Sequence, residues 1–477
     1  MVTKKGLSTW TLRFTIWLLP VLLGFFVVTP GQLAHAASKS KGGLPPEIER
    51  FIKEKEAHAR ALAKKLDLKV SPLIWDFFAT AQTGKFAAIT NAFERLKMRA
   101  SQEEGAREVP TVRTPVWETV VDVMLAVEPF EEADAGYSRE FGRGVVKSIP
   151  AGSIYFGGTD PGRGLVTAYS KSHANGDPFF TLTQNALADG AYLDYLRATY
   201  GEKIRTPSRD DSQKAFSEYS ADARKRLEHD RRFPNEPRQL KSGEDVRMVD
   251  GRLQVYSTQV TVMGINGGLC KMIFDANLDR EFYIEESFPV DWMYPHLAPH
   301  ELILKVNREP LASLPDDVVK KDHEFWTRQM SQMIGDWLKP ETSVEEVCEF
   351  VSKVYVRKDY SGFKGDRAFV ENDYARKLYS KLRSSIGGLY NWRAGIATDP
   401  AQKKRMLAEG DFAFRQAFAM CPESPESIYR YINLLVGAGR LDDALRIVAA
   451  ARPLMPDDNQ LVHVGTELAR LKEGQKN

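Results

Sequence analysis

The chain has 477 residues, 43% apolar and 27% charged, with a formal net charge of +2. That length allows two or three domains with substantial cores, and a charge this close to balance gives no whole-chain electrostatic case for nucleic acid. Three cysteines, Cys270, Cys348 and Cys421, are too scattered and odd in number for a disulfide framework or a metal motif, so they are expected as buried apolar side chains.

The elements follow in chain order. Lys4, Lys5 and Arg13 precede an uncharged apolar run over 14–28, and Ala34-His35-Ala36 then supplies the small residues of a cleavage site. This is the pattern of a secretory signal over 1–36. An uncleaved anchor is the alternative, although the run falls short of the roughly 20 residues that span a bilayer. Either way the remainder is expected outside the cytoplasm, in the periplasm or cell envelope. Residues 37–135 read as helical. Ser71 caps a first half with Leu73, Trp75, Phe77 and Phe78 at helical spacing, and Gly84 separates it from Phe86, Ile89, Phe93 and Leu96. A charged linker over 101–112 and a helix over 116–130 complete this part.

Over 136–312 the pattern changes. Short β-type runs at 153–156, 179–183, 254–263, 281–285 and 302–306 alternate with helical stretches at 165–173, 191–200 and 267–277. Between them, 208–245 reads as a helical excursion followed by a loop. Alternation of this kind predicts an α/β domain built on an open, mainly parallel sheet. Helical signals alone follow over 313–400, with Phe325, Trp326, Met330, Met333, Ile334 and Trp337 as a core stripe. In 401–472 residues repeat at a spacing of 34: Phe414 with Val448, Ala417 with Ala451, Pro422 with Pro456. That period is the tetratricopeptide signature. Tyr431, Leu435, Gly439 and Ala444 fit it, whereas Ile432 and Gly410 depart from it.

Three of the β-type runs are followed by polar turns. Segment 153–163, SIYFGGTDPGR, supplies Gly157, Gly158, Thr159, Asp160, Gly162 and Arg163. The second turn supplies Gln184, Asn185 and Asp189, and the third Glu285, Glu286 and Ser287. If the strands run parallel, these groups converge on one edge, where α/β sheets bind ligands. The first turn is either a tight Asp-Pro-Gly turn or an anion-holding loop with Arg163 as counter-charge. It lacks the ending of a P-loop and the spacing of a dinucleotide fingerprint. Asn185 and Asp189 are ligand candidates with helix capping as the alternative. Asp160 and Glu286 are the acid/base candidates. Adjacent Glu285 and Glu286 on a strand point to opposite faces, which argues against a catalytic pair. His296 and His300 have zinc-ligand spacing, but Pro295 and Pro299 oppose a helix there. The charged run 223–232 reads as a solvated helix face. No cofactor and no metal are expected.

Segments IPAGSIYFGGTDPGR, DPFFTLTQNALADGAYLDYLRATYG and REFYIEESFPVDWMYPHLAPHELILKVNRE resemble the extracytoplasmic C-terminal region of bacterial membrane proteins similar to protein O-mannosyltransferases, in which tetratricopeptide repeats often follow. The likeness covers 145–309 and the tail, and places Asp160, Asn185 and Glu286 on the family's polar loop positions. Those relatives carry many membrane spans before this region and this sequence does not, so the resemblance implies the soluble part without its enzymatic activity. The expectation is therefore an exported, non-enzymatic binding or accessory module linked to glycosylation, with a protein partner on its helical tail. A sugar- or sugar-phosphate-binding, glycosyltransferase-like domain is the alternative. Membrane contact is expected only through an uncleaved leader.

Overall fold

The computed structural model describes residues 43–102, 112–131, 136–157, 161–170, 176–285 and 289–474. Five helices come first: α1 (Pro46–Lys65), α2 (Pro72–Ala81), α3 (Phe86–Gln102), α4 (Trp117–Val127) and α5 (Gly136–Ser148). The central part runs β1 (Ile154–Gly157), α6 (Pro161–Tyr169), β2 (Phe180–Thr183), α7 (Gly190–Tyr200), α8 (Arg209–Arg232), β3 (Val246–Val249), β4 (Arg252–Val255), α9 (Gln259–Ala276), β5 (Phe282–Ile284), β6 (Leu297–His300) and β7 (Ile303–Val306). Helices finish the chain: α10 (Asp316–Ile334), α11 (Val344–Val351), α12 (Arg367–Glu371), α13 (Asp373–Ile396), α14 (Pro400–Met420), α15 (Pro425–Gly437), α16 (Leu441–Ala451) and α17 (Asn459–Gly474). Among the described residues no helix is long and apolar enough to cross a membrane.

The sheet has the order β2-β1-β5-β7-β6. β1 pairs in parallel with both neighbours, Ile154 opposite Phe180 on one side and Phe282 on the other. These three strands are buried on both faces, which is what parallel pairing under helices requires. On one face Phe282 meets Phe156 and Phe274 of α9, ring centres 5.8 and 5.0 Å apart. On the other, α6 closes on β1 so tightly that a Cβ on Gly157 would lie 2.9 Å from the carbonyl oxygen of Gly162.

The sheet is mixed rather than mainly parallel. β5 pairs antiparallel with β7, and β7 antiparallel with β6. Only Glu301 and Leu302 join β6 to β7, and so short a link can only reverse the chain. β6 escapes the sequence pattern because it contains Pro299, which an edge strand tolerates. The expected strand at 254–263 is also corrected. β4 stops at Val255 in a separate hairpin with β3, and α9 starts at Gln259. The Thr258 hydroxyl caps Thr261 N–H, and Leu269, Cys270, Ile273 and Phe274 bury one helical stripe. Capping and burial there outweigh the β preference of Val260 and Val262.

Helix follows helix in the tail, α13 against α14, then α14–α15, α15–α16 and α16–α17, while α13 also packs on β6 and β7. The spaced alanines Ala417 and Ala451 are fully buried at these contacts. Gly439, at φ 73°, turns the chain between α15 and α16. One apolar cluster runs from Leu44 to Leu468, and a small second one joins Ala223 and Leu227 of α8 to Val246. The charged run over 223–232 is thus a helix with one buried stripe and a solvated remainder.

Candidate ligand site at the carboxyl edge of the parallel strands

β1, β2 and β5 point the same way, so their carboxyl ends lie side by side. Gly157 is level with Thr183, and Phe156 with Ile284. The chain leaves β1 for β2 on one side and returns to β5 on the other. This reversal of strand order is where α/β sheets open a crevice. The turns that sequence placed on one edge therefore do start there. Gly158, Asp160 and Glu286 of those turns lie outside the described residues.

Arg163 does not face that edge as a counter-charge. It is 6% exposed and sits in the first turn of α6, where Nε donates to Asp122 Oδ1 at 2.5 Å and Nη2 to Glu118 Oε2 at 2.8 Å. Lys55 of α1 donates to Asp122 Oδ2 at 2.6 Å, and the Tyr195 hydroxyl donates to the same oxygen at 3.0 Å. Four helices, α1, α4, α6 and α7, are thereby tied through one buried carboxylate. Burial pushes the Asp122 carboxyl upward, but the adjacent Arg163 and Lys55 cations outweigh it and hold the group well below the usual range. Burial raises Glu118, whose opposing cation is Arg163. An arginine engaged by two internal carboxylates has no charge left for a phosphate.

Asp189 is the N-cap of α7 and accepts from Ala191 N–H at 2.7 Å and Tyr192 N–H at 3.3 Å. Asn185 accepts from Gln184 Nε2 at 3.2 Å through its side chain and from Asn266 Nδ2 at 2.9 Å through its carbonyl. Asn266, fully buried on α9, also takes Ala188 N–H at 2.6 Å. It thus fixes the 184–188 turn from both sides. Nothing in its sequence neighbourhood announced this.

The place beside the first turn of α6, where the anion-loop alternative would put a ligand, holds a protein carboxylate. Glu285 is fully buried, and a Cβ on Gly162 would fall 1.9 Å from its Oε2. The positive end of a helix favours a carboxylate there, and Lys381 of α13 approaches Oε1 at 3.6 Å. Two other polar atoms lie buried at this edge. Thr183 Oγ1 and Gln184 Oε1 belong to residues 3% and 1% exposed, and neither has a hydrogen-bond partner among the described residues. Buried polar atoms are nearly always satisfied. Gln184 Oε1 can only accept, so its partner must be an O–H or N–H donor.

The two histidines at zinc spacing are structural: His296 Nδ1 donates to Asn307 O and His300 Nε2 to Ser148 O, each at 2.8 Å. Among the described residues no group of three His, Cys, Asp or Glu side chains gathers as metal ligands. Cys270 and Cys421 are buried and Cys348 half-buried, all unpaired, and burial pushes the Cys348 thiol up to about 12. Trp326 is fully buried in the core. Comparison with protein-family models, with curated proteins and with solved structures gives no match.

Proposed function

We propose that this chain is an exported binding protein that holds a hydroxyl-bearing ligand, a sugar or glycan, at the carboxyl edge of β1, β2 and β5. The observation that carries this reading is the pair Thr183 Oγ1 and Gln184 Oε1, buried without a partner among the described residues where three parallel strands end. An acceptor such as the Gln184 amide oxygen selects a donor, which a sugar hydroxyl is and a phosphate dianion is not. Commitment of Arg163 to Glu118 and Asp122 points away from a phosphate-bearing ligand. The likeness of 145–309 to the soluble part of O-mannosyltransferase-like proteins agrees with a glycan. The leader pattern over 1–36 agrees with a place in the cell envelope. The hairpins of α13 to α17, read as tetratricopeptide-like, would carry a protein partner. The reading is one of binding rather than turnover.

A thermal-shift screen of the chain without its leader tests it. Neutral mono- and oligosaccharides should raise Tm, and inorganic phosphate should not. Gln184→Leu should abolish the rise while leaving the fold intact by circular dichroism. Stabilisation by phosphate or sugar nucleotides but not by neutral sugars would overturn the ligand class. Stabilisation by neutral sugars that survives Gln184→Leu would overturn the site.

A further inference from the structure

α10, α13 and α14 meet around a polar cluster. Arg383 of α13 is fully buried. Its Nη1 donates to Asp322 Oδ2 on α10 at 2.8 Å, and its Nε donates to Gln416 Oε1 on α14 at 2.7 Å. The Tyr390 hydroxyl donates to the same Asp322 oxygen at 2.8 Å. The guanidinium carbon lies 5.2 Å from the ring centre of Trp326. Four polar atoms of this cluster have no hydrogen-bond partner among the described residues: Arg383 Nη2, Asp322 Oδ1, Gln416 Nε2 and Trp326 Nε1. The residues are 0 to 3% exposed. All four atoms belong to side chains gathered around the Arg383 guanidinium.

Leaving these atoms unpaired would carry a penalty at each, and together the penalties would rival the net stability of a folded domain. We infer that the α10–α13–α14 interface binds internal water. The chemistry selects water over an ion. Three of the atoms are donors and one an acceptor, and Arg383 and Asp322 neutralise each other. An anion drawn by the donors would meet the Asp322 carboxylate, and a cation would meet the guanidinium. One water accepts from two donors and donates to Asp322 Oδ1, in the two to four bonds usual for buried water. The bound water then pins α10 to the first helical hairpin of the tail, independently of the ligand reading above.

A high-resolution crystal structure of the chain tests this directly. The expected result is a density peak within hydrogen-bonding distance of Arg383 Nη2 and Asp322 Oδ1. In solution, the Trp326 indole N–H, identified by its loss in Trp326→Phe, should show a cross-peak to water while exchanging slowly with deuterium. Density showing those atoms paired with one another or with other side chains would overturn the inference, as would a slowly exchanging indole without a water cross-peak. The crystallographic arm does not depend on the variant folding.

Discussion

Arg163 sits where a glycine-rich turn enters a helix, the usual place for a ligand's counter-charge, yet its guanidinium is spent on Glu118 and Asp122. Removing it leaves two buried carboxylates facing Lys55 alone. Arg163→Met should therefore lower unfolding stability by about 3–5 kcal/mol in urea titration. Arg163→Lys should recover only part, because one ammonium cannot make both contacts in the same geometry. His58 gives a pH prediction. Burial, aided by Lys55 one turn away, depresses it from 6.5 to about 3. A group whose pKa is lower in the folded state contributes stability that is complete above its unfolded pKa. The urea midpoint should thus fall as pH drops below 6.5 and keep falling towards 3. His58→Gln should flatten that part of the profile. Glu118 works in the opposite sense, since burial raises it, and acidification through its range favours the folded form. A slope unchanged in His58→Gln would count against the buried neutral imidazole.

Among elements, one side chain makes several hydrogen bonds across the seam between sheet and tail. Arg393 of α13, 2% exposed, donates to the carbonyls of Leu311 at 2.6 Å, Pro295 at 2.8 Å and Leu297 at 3.3 Å. It clamps the segments before and after the β6–β7 hairpin onto the helices. Arg393→Met should free those carbonyls and speed proteolytic cleavage in 307–315 several-fold, with little change elsewhere. Uniform loss of resistance along the chain would mean that the clamp is not local. The elements also divide what could be read in advance. β1, β2 and β5 were legible because buried parallel strands appear as short apolar runs before polar turns. The helix pair either side of Gly84 and the hairpin at Gly439 were legible from helical spacing around a glycine. β6 was hidden by Pro299, and the start of α9 by Val260 and Val262, whose β preference yields to a cap and a buried face. The candidate site was half legible. Gln184, Asn185 and Glu285 stand in the turns that the pattern marked. Asn266 and Lys381, which brace those turns, lie 81 residues beyond Asn185 and on a helix of the tail, where no local spacing can reveal them.

For the molecule as a whole, the decisive feature is that one apolar cluster extends from Leu44 to Leu468. A chain of 477 residues would by size alone be expected to unfold in stages. The shared core, the Arg393 clamp and the Glu285–Lys381 contact join the sheet to the tail. Tryptophan fluorescence and far-ultraviolet circular dichroism should therefore give coincident urea transitions. Separated midpoints would show that the helical tail is an independent folding unit. The placement of Arg163 was not legible at this scale, because Asp122 is 41 residues before it and Lys55 is 67 before Asp122.

The knot centred on Asp122 carries a practical consequence for anyone shortening this polypeptide. A version that begins after residue 70, chosen to discard the first charged helix as dispensable, would delete Lys55 and strip one of two cations from an interior carboxylate. Such a fragment retains every strand and every marked turn, yet it would come out of expression insoluble or loosely packed. The cause would be the missing Lys55 ammonium together with the lost core face of Ile48, Phe51, Ile52, Ala59 and Leu62, all about a hundred residues upstream of the proposed binding edge.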